Sequence, residues 1–271
     1  MNKRILLSLV TVVAVLAIVS SATIAYYSDT EKSTGNTFMA GSIDLEIDNE
    51  SYYNGEYQPG TSWALDDLTD QLFFNFTDLK PGDWGEDTVS LHVESNKAWA
   101  CANITLTESK ENGMTNPESK VDSTWGQWGG ELDDNLSFVF WIDDGDNVWE
   151  QDEQKLMSGK ASDLPQDGTG VTYTLADSEE NNVGGSKGDP LCCGSTYHIG
   201  KAWCFGEMSI NRAPEAAYDG PTDDDVPDNY FTCDGSNVGN ESQTDTVKGD
   251  ITFYAEQYRN NPNFTCDSWT P

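Results

Sequence analysis

Apolar and polar residues alternate with a period of two in short stretches along most of this chain, as strands with one buried face require. Ser42-Ile43-Asp44-Leu45-Glu46-Ile47 puts Ile43, Leu45 and Ile47 on one face. Thr88-Val89-Ser90-Leu91-His92-Val93 does the same with Val89, Leu91 and Val93. Similar runs predict strands over residues 71–76, 99–107, 136–142, 171–175, 196–205 and 250–257. No stretch of twelve or more residues shows an amphipathic helical period. Clusters such as Lys80-Pro81-Gly82-Asp83 punctuate the strands as turns. The expected fold is all-β: one antiparallel β-sandwich, jelly-roll-like, spanning residues 42–271. Its long polar connections, around 143–153, 176–194 and 215–246, read as acidic loop insertions, since none carries the apolar residues for a core of its own.

The first residues break this pattern. Met1-Asn2-Lys3-Arg4 is a basic start, residues 5–19 form an apolar run, and Ser20 to Ala25 supplies small residues at a cleavage-site spacing. A run of about 15 residues is short for a membrane span, which needs roughly 20. Residues 1–25 read as a cleaved signal peptide, with an N-terminal membrane anchor as the alternative. The expected location is secreted, at the cell surface or in the extracellular matrix. Signal peptidase is the partner during export, and the membrane is a partner only before cleavage.

Charge then narrows the partners. Forty-seven acids face fourteen bases, a formal net charge of -33. Such a surface repels nucleic acid and anionic membrane and attracts cations. Disorder does not follow from it, because 11% of the residues are aromatic and strand-like runs recur.

Six cysteines, Cys101, Cys192, Cys193, Cys204, Cys233 and Cys266, suggest disulfides in an exported chain. No C-x-x-C spacing occurs, so zinc-ribbon and thioredoxin chemistry lack their pattern. Five of the six follow residue 190, so the staples are expected mainly in the C-terminal third. The adjacent Cys192 and Cys193 are expected to bond to two different partners.

Two further patterns could bind or carry something. The stretch from Asp143 to Glu153 places acids around a glycine-permitted turn, where Asp144, Asp146 and Glu153, with a carbonyl near Val148, could converge on Ca2+. The full D-x-D-x-D-G pattern is absent, and a solvated acidic hairpin is the competing reading. N-x-[ST] glycosylation sequons stand at Asn49, Asn75, Asn103, Asn135, Asn240 and Asn263, and Asn103 qualifies only if it points outward.

Residues 25–31, Ala-Tyr-Tyr-Ser-Asp-Thr-Glu, are followed by Asn36-Thr37-Phe38-Met39-Ala40-Gly41-Ser42-Ile43-Asp44-Leu45. This resembles the TasA/camelysin family, with its aromatic-[SN]-D pair past the cleavage site and its F-x-A-G-[ST]-[IL]-D-L motif. A second match is Phe76-Thr77-Asp78-Leu79-Lys80-Pro81-Gly82-Asp83 ahead of the strand 89–93, and a third is the closing strand at 250–257. The stretch Gly200-Lys201-Ala202-Trp203-Cys204-Phe205-Gly206 looks like the family's cysteine-bearing branch. The resemblance implies a secreted subunit of a biofilm-matrix fibre or bundling pilus, a head-to-tail homopolymer built by donor-strand complementation. The N-terminal extension, residues 26–41, would supply the donor strand, with Tyr26, Tyr27, Ser28, Asp29 and Thr30 at its core. The competing reading is that this segment pairs within its own domain.

Catalysis has thinner support. Camelysin is described as metalloprotease-like, but this chain has only His92 and His198, far apart in sequence, and no H-E-x-x-H or G-x-S-x-G motif. The expectation is no enzyme activity and no catalytic residues. A surface adhesion or S-layer module is the alternative function.

Overall fold

The computed structural model describes residues 28–32, 45–94, 96–192, 194–212 and 230–271. The leader at 1–25, Tyr26 and Tyr27 of the donor segment, and Cys193 lie outside them.

Two antiparallel sheets pack face to face. The first has the order β1–β13–β6–β9, with β1 Ser28–Lys32, β6 Ala98–Lys110, β9 Val171–Ala176 and β13 Thr246–Gln257. The second runs β3–β2–β5–β10–β7–β8, where β2 is Leu45–Tyr53, β3 Glu56–Tyr57 and β5 Trp84–Val93. Its remaining strands are β7 Leu136–Asp143, β8 Lys155–Lys160 and β10 Ser195–Phe205, and β4 Trp63–Asp66 pairs with β2. A small ribbon joins β11 Glu207–Ile210 to β12 Phe231–Asp234. This is the all-β sandwich that the alternation implies.

The alternating positions form the layer between the sheets. Leu45, Ile47, Val89, Leu91 and Val93 from one sheet meet Ile251, Phe253 and Ala255 from the other. Seven of the expected strands appear, mostly longer than their apolar cores suggest. Residues 71–76 are an exception, forming no strand. Phe73 is buried there and packs edge-on against Phe253 at 6.2 Å and Trp63 at 5.1 Å. The segment's aromatics fill the core from a loop, so its apolar content reflects packing rather than a ladder.

The second sheet is also covered on its outer face. Val139, Trp141, Val148, Trp149, Ala202, Tyr230 and Phe231 form a separate buried cluster. Trp141 stacks on Trp149 at 5.8 Å and reaches Gly200 so closely that a Cβ there would lie 2.1 Å from the indole. The expectation that 215–246 is a surface insertion therefore needs correction at its end, because Tyr230 is fully buried and residues 231–234 are a strand.

Two disulfides join Cys101 to Cys266 and Cys204 to Cys233. The first spans 165 residues and ties the C-terminal turn to β6, so the staples are not confined to the C-terminal third. Each contributes about 2–4 kcal/mol by restricting the unfolded chain. Cys192 is exposed and forms no disulfide among the described residues. With the other four cysteines bonded to one another, the expectation of two different partners for Cys192 and Cys193 fails within this chain.

Candidate functional site

The edge of the first sheet is the first candidate. β1 pairs antiparallel with β13 from Ser28 opposite Glu256 to Lys32 opposite Thr252. Ser28, Asp29 and Thr30 of the segment expected to be given to a neighbour thus lie at their own domain's edge in the single chain. Its sequence, Ser-Asp-Thr-Glu-Lys, contains no apolar residue. Backbone ladder bonds are indifferent to which chain supplies the strand. Residues 33–44 separate it from β2 in the opposite sheet.

The acidic turn lies over the outer face of the second sheet. Ligand oxygens of Asp144, Glu150 and Glu153 lie within 4.8 Å of one another. Asp144 and Glu153 of the expected set are thus brought together, Glu150 joins them, and Asp146 stands outside that cluster. Glu153 clips the turn shut: its Oε1 accepts from Asp144 N–H at 2.9 Å and its Oε2 from Glu150 N–H at 2.9 Å. Asp146 Oδ1 accepts from Val148 N–H at 2.9 Å. Asp143, at the end of β7, accepts from Gly145 N–H at 3.0 Å and from the Trp141 indole at 3.1 Å.

Burial acts first on all three carboxyls, with neighbouring acids adding to it. It pushes Asp143 up to about 6, Asp146 up to about 7 and Glu153 up to about 9. Between the ordinary carboxyl range and these values the folded chain holds protons that the unfolded chain has released, so stability falls as pH rises from about 4 to about 9. In chelator, the thermal midpoint should drop between pH 6 and pH 9, and Glu153→Gln should remove most of that slope. A midpoint that rises over this range in the wild-type chain refutes the assignment.

The two histidines, 106 positions apart in sequence, come to the same face of the same sheet. In the β5–β10 register His92 faces Thr196 and His198 faces Ser90, a diagonal pair. His92 Nε2 lies 3.0 Å from Asp48 Oδ2 and its Nδ1 lies 3.0 Å from Thr196 Oγ1. His198 Nδ1 lies 3.0 Å from Ser90 Oγ, and burial holds its pKa below the usual imidazole value. Sequence distance hid this pairing, and only the strand register reveals it. Among the described residues, the groups of converging ligand atoms are all carboxylates.

Two sequons are overturned. Asn49 is 2% exposed and donates to Thr61 O at 2.6 Å, and Asn103 is 1% exposed and donates to Thr172 Oγ1 at 3.1 Å. Neither has room for a glycan: alternation turns Asn49 inward, while Asn103, between the core residues Ala102 and Ile104, lies on the outer face beneath Thr169 and Gly170. Asn135 is half-buried and donates to Ser242 Oγ at 2.9 Å, while Asn75, Asn240 and Asn263 are exposed.

No match is found among curated proteins. A family match covers residues 1–123, which takes in β1 to β6 and leaves β7 to β13, including the closing strand, beyond it. Residues 1–123 match the family model described as camelysin metallo-endopeptidase, so the resemblance to the TasA/camelysin family carried by the N-terminal motifs holds across this first part of the chain.

Proposed function

We propose that this chain is a secreted structural subunit of an extracellular filament, a matrix fibre or bundling pilus, that assembles by strand exchange. The observation that carries the reading is β1: a short, wholly polar strand at a sheet edge, paired with β13 alone among the described residues. When β1 leaves, the N–H and C=O groups along β13 become an open edge, and the same strand from another copy can satisfy them. Twelve residues link β1 to β2, a reach of roughly 40 Å when extended. A lone chain fills its own edge because its tethered strand has the higher effective concentration. Exchange between copies is head-to-tail and does not close, so it grows a filament.

The family's description as a metallo-endopeptidase offers a competing, catalytic reading. The structural role is preferred because both ring nitrogens of His92 already hydrogen-bond, to Asp48 and Thr196, and the converging ligand groups among the described residues contain no histidine. The acidic turn is read as a Ca2+ site through Asp144, Glu150 and Glu153, since hard cations favour converging carboxylate oxygens.

Negative-stain microscopy tests the assembly. The mature protein should form filaments, and a variant lacking residues 26–36 should stay monomeric or form only short oligomers. Normal filaments from the truncated chain would eliminate strand exchange.

A further inference from the structure

We propose that Glu111, Glu118, Asp122, Glu131 and Asp245 form a calcium-binding centre where β6 ends and β13 begins. Glu111 is the first residue past β6, and Asp245 the last before β13. The final ladder pair, Thr246 with Lys110, sets these two acids across from each other. Directly opposed like charges destabilise a sheet unless something sits between them. The loop after Glu111 folds back along the same strand. Glu111 N–H donates to Gly126 O at 3.1 Å and Ser109 N–H to Gln127 O at 3.0 Å. That return carries Asp122 and Glu131 to the same place. Ligand oxygens of Glu111, Glu118 and Asp245 lie within 4.8 Å of one another, as do those of Glu111, Asp122 and Glu131.

The arrangement of individual oxygens carries the argument beyond a crowd of acids. In four of the five carboxylates one oxygen is held by a backbone N–H or a hydroxyl. Gly113 N–H donates to Glu111 Oε1 at 2.7 Å, and Thr115 N–H to Glu118 Oε2 at 2.7 Å. Thr124 Oγ1 donates to Glu131 Oε1 at 2.8 Å, and Glu131 N–H to Asp245 Oδ2 at 2.7 Å. The second oxygen of each, Glu111 Oε2, Glu118 Oε1, Glu131 Oε2 and Asp245 Oδ1, is buried with no hydrogen-bond partner among the described residues. Glu111 is 4% exposed and Glu118 is 0% exposed, so water does not solvate them freely. No Lys, Arg or His forms an ion pair with any of the five among the described residues. Gly130 closes the site tightly, since a Cβ there would lie 3.1 Å from the Asp245 carboxyl carbon.

Buried carboxylate oxygens with neither a donor nor a counter-charge are costly, and a cation seated among them removes that cost. The donors are all oxygens, which selects a hard cation over zinc or copper. Several carboxylates on an irregular loop suit the large, flexible shell of calcium better than the octahedral, water-rich shell of magnesium. Bound calcium would tie the loop at 111–131 to the β6–β13 rung, and with it the exposed Val121 and Trp125.

The test uses the full mature protein stripped with chelator. Saturating CaCl2 should raise the thermal midpoint by about 5–10 °C, and MgCl2 at equal ionic strength should do far less. Glu118→Gln with Asp245→Asn should melt higher than wild type in chelator, because repulsion is relieved, and should lose at least half of the calcium shift. Asp144→Asn with Glu150→Gln, in the acidic turn, should leave that part of the shift intact. Terbium luminescence excited through tryptophan gives a second readout on variants that retain the ligands. Trp125→Phe with Trp128→Phe should lower the emission without changing the calcium shift, since both tryptophans lie between Asp122 and Glu131. The proposal is overturned if wild type shows no calcium-specific shift, if Glu118→Gln with Asp245→Asn keeps all of it, or if terbium emission is unchanged by loss of both tryptophans.

Discussion

Locking β1 to β13 within one chain should abolish polymerisation while leaving the fold intact. Lys32 and Thr252 are directly paired in the register. Antiparallel partners have Cα separations of about 4.5–5.5 Å, inside the range a disulfide accepts. Lys32→Cys with Thr252→Cys, oxidised as a dilute monomer, should therefore form a bond that keeps the strand on its own edge. The β13 edge is then permanently occupied, and no free strand remains to offer a neighbour. Filaments should be absent in the oxidised variant and return on mild reduction. The native Cys101–Cys266 bond is buried at both ends and should survive that treatment. Each single substitution should polymerise normally. An oxidised double variant that builds wild-type filaments would show that lateral contacts, rather than strand exchange, hold the fibre.

The second large effect concerns stability. Lys201 on β10 and Asp87 on β5 form an ion pair inside the sandwich, each nearly inaccessible to solvent. Desolvation pushes the Asp87 carboxyl up and the Lys201 ammonium down, and their mutual attraction opposes both shifts. The ammonium has modest further support, from Asn49 Oδ1 at 3.3 Å and the rings of Phe73 and Phe74 at 4.9 Å. Asp87→Ala leaves that cation buried without its counter-charge and should cost about 3–5 kcal/mol in chemical denaturation. Asp87→Leu combined with Lys201→Met should recover most of the loss, because two apolar groups of similar volume need no desolvation. A cost below about 1 kcal/mol for Asp87→Ala would mean that water reaches the pair.

Legibility differed from element to element for physical reasons. β2, β5 and β13 keep a period of two because one apolar face meets the other sheet, while β7 and β10 bury both faces and read as nearly continuous apolar runs. β8, β11 and β12 are short and mixed in polarity, and they hold their places by pairing with a neighbour. Alternation also misjudged what polar residues do. Asp87, Lys201, Asn49 and Asn103 sit at inward or enclosed positions because each meets a partner that sequence does not name. The acidic turn was visible as a local run, and two of its three expected ligands converge. The carboxylates around Glu111 escaped notice because Asp245 lies 134 positions away.

The sequence by itself determined the fold class, the strand pattern between the sheets and the N-terminal motifs matched by the camelysin family. Those properties depend on local periodicity and on short motifs, which any single stretch of chain displays. Only the tertiary structure decided the disulfide pairing, the cis seat of β1, the meeting of His92 with His198 and the gathering of carboxylates beside β13. Each of these joins residues far apart in the chain, and strand register alone sets which of them become neighbours.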